Sequence, residues 1–110
     1  MTMFTRRRPL CAAVTGALLL VAVPVPAAAA THVVVIDKMK YAPVPPLKIG
    51  DTVVFVNKDM FRHTVTATNN KFNIDLMPGA RGSLHINSAG TATFYCKYHP
   101  GMKGVLKVAK

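Results

Sequence analysis

The chain has 110 residues, with 14 Lys+Arg against 4 Asp+Glu, a formal charge of +10, yet 51% hydrophobic residues and a mean hydropathy of +0.30. That length holds one domain, which excludes a multidomain enzyme, a cleft built between domains and an array of repeats. The apolar content excludes a disordered polyelectrolyte.

The N-terminus separates part of the charge from part of the grease. Met1 to Pro9 carries Arg6, Arg7 and Arg8 and no acid. Leu10 to Val23 is a 14-residue stretch, apolar apart from Thr15 and Gly16. Pro24-Val25-Pro26 breaks it, and Ala27 to Ala30 follows. A basic start, a short apolar run and a small-residue tail form the three-part pattern of a secretory signal peptide. The run is shorter than the ~18–20 residues that span a bilayer, so no stable membrane insertion is expected. Cuts before Ala30 and before Thr31 both satisfy the small-residue rule. The boundary adopted is a cleavable signal over 1–30 and one domain over 31–110. Thr5-Arg6-Arg7 partly matches a twin-arginine signal, so the Sec and Tat routes both stay open. Cys11 lies at the start of the apolar run rather than after it, is badly placed for lipid attachment, and is expected to leave with the peptide.

The domain over 31–110 keeps nine Lys and two Arg against four Asp and no Glu, a charge of +7. One cysteine remains, Cys96. An exported domain with a single Cys has no internal disulfide, and such a thiol is a liability or a ligand. Eighty residues is near the lower limit for a stable core, so a bound metal would help hold it.

Short β-branched runs between turn signals follow in order. They are His32 to Ile36, Leu47 to Ile49, Thr52 to Val56, His63 to Thr68, Ser83 to Ile86, Thr91 to Cys96 and Val105 to Val108. Gly50-Asp51, Asn69-Asn70, Pro78-Gly79 and Pro100-Gly101 punctuate them. Such spacing predicts an all-β Greek-key sandwich or barrel of about seven to eight strands. Pro43, Pro45 and Pro46 mark an edge or a crossing between sheets. Alternation puts His63, Val65 and Ala67 on one face of their strand, the core face, with the threonines opposite. It likewise turns Ala92, Phe94 and Cys96 inward. His85 shares the polar face with Ser83 and reads as surface.

A lone inward His or buried Cys is usually ordinary core. Both gain weight from Cys96-Lys97-Tyr98-His99-Pro100-Gly101-Met102. Here Cys, His and Met recur as C-x-x-H-x-x-M, and Pro100 and Gly101 exclude a helix, so the three sit on a tight loop. With His63 the set is two imidazoles, a thiolate and a thioether. Three strong ligands plus a weak axial Met match a blue-copper electron-transfer site. Zn²⁺ would take a fourth strong donor.

From Val33 to Lys107 the sequence resembles the small cupredoxins of the plastocyanin/azurin group, and within them the amicyanins. The resemblance runs through Lys38-Met39-Lys40-Tyr41, Lys48 to Val53, Val56-Asn57, His63-Thr64-Val65 and the short copper loop. It implies His63, Cys96 and His99 as equatorial ligands of one copper ion cycling between Cu(II) and Cu(I), with Met102 axial. It implies that Asn57 tethers the ligand strand to the copper loop, although Lys97 stands where a Ser or Thr usually receives that tether. Arg62 replaces a proline before the first His. The match is poor over Lys71 to Ser83.

Function follows as an expectation: a periplasmic, monomeric carrier of single electrons. His99, on a loop at the domain end, is the expected exit, ringed by Met60, Phe61 and Pro100. Met39 reads as ordinary packing. Lys58, Arg62, Lys97 and Lys103 are expected to form a basic collar that steers an acidic redox partner. Resemblance implies a dehydrogenase, a c-type cytochrome, or both. The alternative is a periplasmic copper chaperone, buffer or sensor. A copper enzyme needs a second histidine cluster, and only His32 and His85 remain. Nucleic-acid binding is set aside, because export removes it and no basic run lies beyond the signal. One further possibility is a Cu(II) clamp at Ala30-Thr31-His32, should the cut fall before Ala30.

Overall fold

The computed structural model describes Met3, residues 15–23 and residues 28–110. The arginine cluster, Cys11 and Pro24 to Ala27 of the expected signal lie outside the described residues. No helix among the described residues is long and apolar enough to cross a membrane.

Nine strands follow one another: β1 Thr31–Asp37, β2 Lys40–Tyr41, β3 Leu47–Lys48, β4 Thr52–Asn57, β5 His63–Ala67, β6 Asn73–Leu76, β7 Arg81–His85, β8 Gly90–Tyr95 and β9 Lys103–Ala109. They form a four-stranded sheet in the order β2-β1-β4-β7 and a five-stranded sheet in the order β3-β9-β8-β5-β6. β1 pairs with β4 and β3 with β9 in parallel; the other pairs are antiparallel. The expected all-β sandwich is therefore present, with two short strands the sequence did not signal.

Both extra strands have physical reasons for being hidden. β2 returns from β1 through the two-residue loop Lys38-Met39, whose φ angles are 51° and 61°. Two consecutive left-handed residues suit a tight hairpin, but that turn normally announces itself with Asn-Gly. Here Asp37 accepts the Lys38 N–H at 2.9 Å and Asp59 accepts the Met39 N–H at 3.0 Å. Acceptors from neighbouring carboxylates thus hold a conformation the residues themselves disfavour. β6 reads Asn-Ile-Asp-Leu, and its two polar residues depress strand propensity. Pairing along β5 supplies what propensity does not.

Residues 42–46 leave β2 at one edge of the first sheet and enter β3 at an edge of the second. The three prolines therefore sit in a crossing between sheets and withdraw no donor from a central ladder. His85 is exposed, as expected.

Between the sheets lie Val34, Ile36, Val53, Phe55, Val65, Leu76, Phe94 and Leu106, all at most 2% exposed. Each such side chain contributes roughly 1.5–3 kcal/mol by leaving water. Phe94 is the aromatic hub, meeting Tyr41 edge-on at 4.8 Å and Phe55 at 5.7 Å between ring centroids. Burial, with Cys96 as the second contribution, raises the Tyr41 hydroxyl well above its ordinary pKa.

The threonine face of β5 is not solvated: Thr64 and Thr66 are each 1% exposed, as buried as Val65. Their hydroxyls are satisfied internally. Thr64 and Thr66 Oγ1 lie 2.9 Å apart, and Thr66 Oγ1 donates to Asn73 Oδ1 at 2.7 Å. Hydrogen bonding removes the cost that would otherwise keep a polar face in water.

Register places the chemistry. β4 ends at Asn57 and β5 begins at His63, while β8 ends at Tyr95 and β9 begins at Lys103. The loops between them emerge at the same end of the sandwich, and the loop between β3 and β4 is at the other.

Gly104 lies opposite Phe94 across β8 and β9, and a Cβ there would sit 2.1 Å from the ring. The ring is buried and pinned by two aromatic neighbours, so it has no room to withdraw. Gly104→Ala is expected to cost about 1–3 kcal/mol of stability, read as a lowered urea midpoint at unchanged slope.

Candidate metal centre

Strand ends and the loop between β8 and β9 deliver the candidate ligands. His63 opens β5, and Cys96 immediately follows β8. His99 and Met102 lie on the loop to β9. The loop is closed by its own backbone: Met102 N–H donates to His99 O at 2.8 Å, and Cys96 N–H to Met102 O at 3.2 Å. Pro100 and Gly101 occupy the turn between those bonds.

The three strong donors converge. One ligand atom each from His63, Cys96 and His99 fall within 4.8 Å of one another. Cys96 Sγ is 3.7 Å from His63 Nδ1 and 3.7 Å from His99 Nδ1. A first-row ion held at ~2.3 Å by sulfur and ~2.0 Å by nitrogen, about 120° apart, sets such atoms ~3.7 Å apart. The spacing therefore fits three ligands around one ion. His63 and Cys96 are fully buried and His99 is half-buried. Met102 is 6% exposed and packs in the core cluster with Cys96.

Two supporting residues were missed in the sequence. The first is Asp59. Its Oδ2 lies 2.9 Å from His63 Nε2, so the ring proton sits on Nε2 and the Nδ1 lone pair faces the cluster. A carboxylate behind a ligating imidazole fixes tautomer and orientation and raises ligand basicity. Asp59 is itself oriented by the N–H groups of Met39 and Met60. The His63 bond, followed by the Met39 amide, holds its carboxyl below the usual range. Only the spacing Asp-x-x-x-His signalled this pair, and alone that is weak.

The second is Thr64. Its N–H donates to Cys96 Sγ at 3.3 Å, and its hydroxyl accepts from Lys97 N–H at 2.9 Å. This corrects the role expected of Asn57. Asn57 is fully buried, but Nδ2 donates to Phe61 O at 2.7 Å and Leu76 O at 3.0 Å. Its Oδ1 accepts from Asp59 N–H. It braces the loop leading to His63, whereas the tether to the Cys96 loop comes from Thr64. The Lys97 side chain is no obstacle, because the tether uses its backbone.

The surroundings are mixed. Met60 is 78% and Phe61 49% exposed, and the Phe61 ring meets His99 edge-on at 6.0 Å. Pro100, Lys58, Lys97 and Lys103 are exposed. Met39 is half-buried and packs on the core, which agrees with its reading as packing. Arg62 is exposed but not a free charge. Its Nε donates to Asp75 Oδ1 at 2.8 Å, its NH2 group bonds the other oxygen, and its guanidinium lies 4.9 Å over the Tyr98 ring. The pair raises the Arg62 pKa and lowers that of Asp75. Asp75 belongs to β6, which explains why the collar looked more basic in sequence than it is.

His32 stands at the opposite end. Its Nε2 is 3.0 Å from Asp51 Oδ2, and the Ala30 N–H donates to Asp51 Oδ1 at 2.9 Å. Thr31 and His32 are also paired along β4. A Cu(II) clamp at Ala30-Thr31-His32 would have to break these bonds first.

Two facing sheets with a His-Cys-His cluster at one end define the cupredoxin class. No family model matches the chain. Amicyanins from Paracoccus denitrificans and Paracoccus versutus are each 34% identical to it, over 83 and 79 residues. The matches cover 69% and 66% of this chain but 63% and 60% of those proteins, so the chain spans less than two thirds of these curated relatives. A solved oxidised amicyanin variant superposes with a TM-score of 0.64 at 30% identity, covering 71% of this chain and 81% of that one. The Cu(I) form of another variant gives 0.63 at 31%, covering 76% and 87%. The chain belongs to the amicyanin family.

Asp59→Asn keeps the size of the side chain and removes its charge. It is expected to weaken metal binding roughly 10- to 100-fold, measured by competition against a chelator of known affinity.

Proposed function

We propose that this protein is a periplasmic blue copper protein carrying single electrons between redox partners. The observation that carries the reading is the convergence of His63 Nδ1, Cys96 Sγ and His99 Nδ1. Copper, when bound, supplies reversible Cu(II)/Cu(I) chemistry, for which thiolate and imidazole together are suited. His63, Cys96 and His99 would be its strong ligands and Met102 the weak one. The protein keeps these donors in one arrangement for both oxidation states. Asp59 orients His63, and Thr64 ties its strand to the Cys96 loop. Among the three strong donors only the His99 ring is half-exposed, which makes it the electron exit.

Met60, Phe61 and Pro100 form an apolar surface around that exit. Lys58, Lys97 and Lys103 are the steering charges, with Arg62 serving chiefly to hold Asp75 and Tyr98. The partners are redox proteins with acidic docking surfaces, by resemblance a dehydrogenase, a c-type cytochrome, or both. The export signal over 1–30 and the domain from 31 onward accord with the periplasm. A monomer needs no nucleic acid and no membrane for this role, and the chain is not an enzyme.

Adding Cu(II) to the purified domain should give an intense blue colour that vanishes on mild reduction and returns on oxidation. Cys96→Ser should abolish it. A colourless or irreversibly oxidised product rejects the carrier. Copper that passes quickly to a weak chelator, with no reversible cycle, supports the chaperone or buffer instead.

The rate of reduction by an acidic partner should fall at least tenfold between ~0.01 and ~1 M salt, because added ions shorten the reach of Lys58, Lys97 and Lys103. Stopped-flow measurements across that range check this, and a flat profile rejects the collar.

A further inference from the structure

We propose that the export signal is removed between Ala29 and Ala30, and that Asp51 is the receptor for the α-ammonium this creates. The inference rests on the export reading and is independent of the copper reading.

Asp51 is a buried carboxylate. It is 4% exposed, far from the metal end, on the turn between β3 and β4. Its carboxylate takes three partners: Ala30 N–H at 2.9 Å, Lys48 N–H at 2.9 Å and His32 Nε2 at 3.0 Å. The two backbone donors, led by Ala30, lower its pKa to about 2. A buried carboxylate held ionised calls for a counter-charge; two of these partners are neutral amides, and the third, His32, carries a charge only when protonated.

Hydrolysis of the Ala29–Ala30 bond supplies one in place. Water, used by the export peptidase, gives its hydroxyl to the Ala29 carbonyl carbon and a proton to the Ala30 nitrogen. A further proton from solvent completes the ammonium. That nitrogen already lies 2.9 Å from Asp51 Oδ1, within the range of a charge-assisted bond. Ala29 and Ala27 then occupy the first and third positions before the cut, as the small-residue rule requires. Ala28 and Ala29 are exposed and lie outside β1.

The other cut allowed by the rule, before Thr31, fits the structure badly. It removes the Ala30 N–H from Asp51 and the Ala30 carbonyl that accepts Thr52 N–H at 2.9 Å. Both losses leave polar groups of the body without their partners, which destabilises it. Ala30 is thus the first residue of the folded domain, one earlier than the boundary read from the sequence.

The test is to express the whole 110-residue chain in an exporting host and determine the intact mass and first residue of the processed protein. Ala30 first upholds the inference. Thr31 first, or any other start, overturns it alone; a chain that keeps its leader overturns the export reading as well. In a second arm, Ala29→Leu blocks the first cut and leaves the second open. A Thr31-first product should unfold with an equilibrium constant roughly tenfold or more larger than the Ala30-first protein. Equal stability overturns the role of Asp51. An Ala29→Leu chain that stays unprocessed upholds the cut site, and the receptor is then read from Asp51→Asn in the Ala30-first protein, where unchanged stability rejects it.

Discussion

Thr64 is the joint on which the site depends. It follows His63 directly, and its backbone N–H reaches Cys96 Sγ while its hydroxyl receives the Lys97 N–H. One residue therefore fixes the distance between two ligands that lie 33 positions apart in the chain. Thr64 and Cys96 are buried, so the bond to the sulfur is shielded from water. This is why the threonine face of β5 cannot be solvated: its hydroxyls are internal fasteners. The Cys96 and Met102 N–H groups, donating to Met102 O and His99 O, then close the loop from the other side.

The four aspartates of the domain are all spent on local order. Asp37 and Asp59 hold the strained Lys38-Met39 turn, and Asp59 also orients His63. Asp75 pins Arg62, and Asp51 gathers the start of β1 and the end of β3. The strongly basic balance of the chain follows from this economy. Acids are present where a backbone turn or an imidazole needs an acceptor, and the lysines are left at the surface. A surface charge of one sign is suited to meeting partners of the other.

The strained turn links fold to site. Two left-handed residues without glycine are costly, and Asp59 offsets that cost by accepting from Met39. The same carboxylate faces His63. The hairpin that covers one edge of the first sheet and the orientation of a ligand in the second are thus coupled through one side chain.

The sequence by itself left the three prolines at an edge or a crossing between sheets, but it determined the all-β class, seven of the strands, and the inward aim of His63, Phe94 and Cys96. It did so because period-two alternation and turn residues are local signals. The donor set was legible for the same reason: three of its four members sit within seven residues. Tertiary structure alone decided β2 and β6, whose sequences lack strand or turn signatures and whose existence comes from pairing. It also decided that Thr64, and not Asn57, ties the loop, that Asp59 stands behind His63, and that Arg62 is matched by Asp75. Each of these depends on which side chains meet across sheets and loops. Hydrogen-bond partners are chosen by distance in space, and no periodicity along the chain records it.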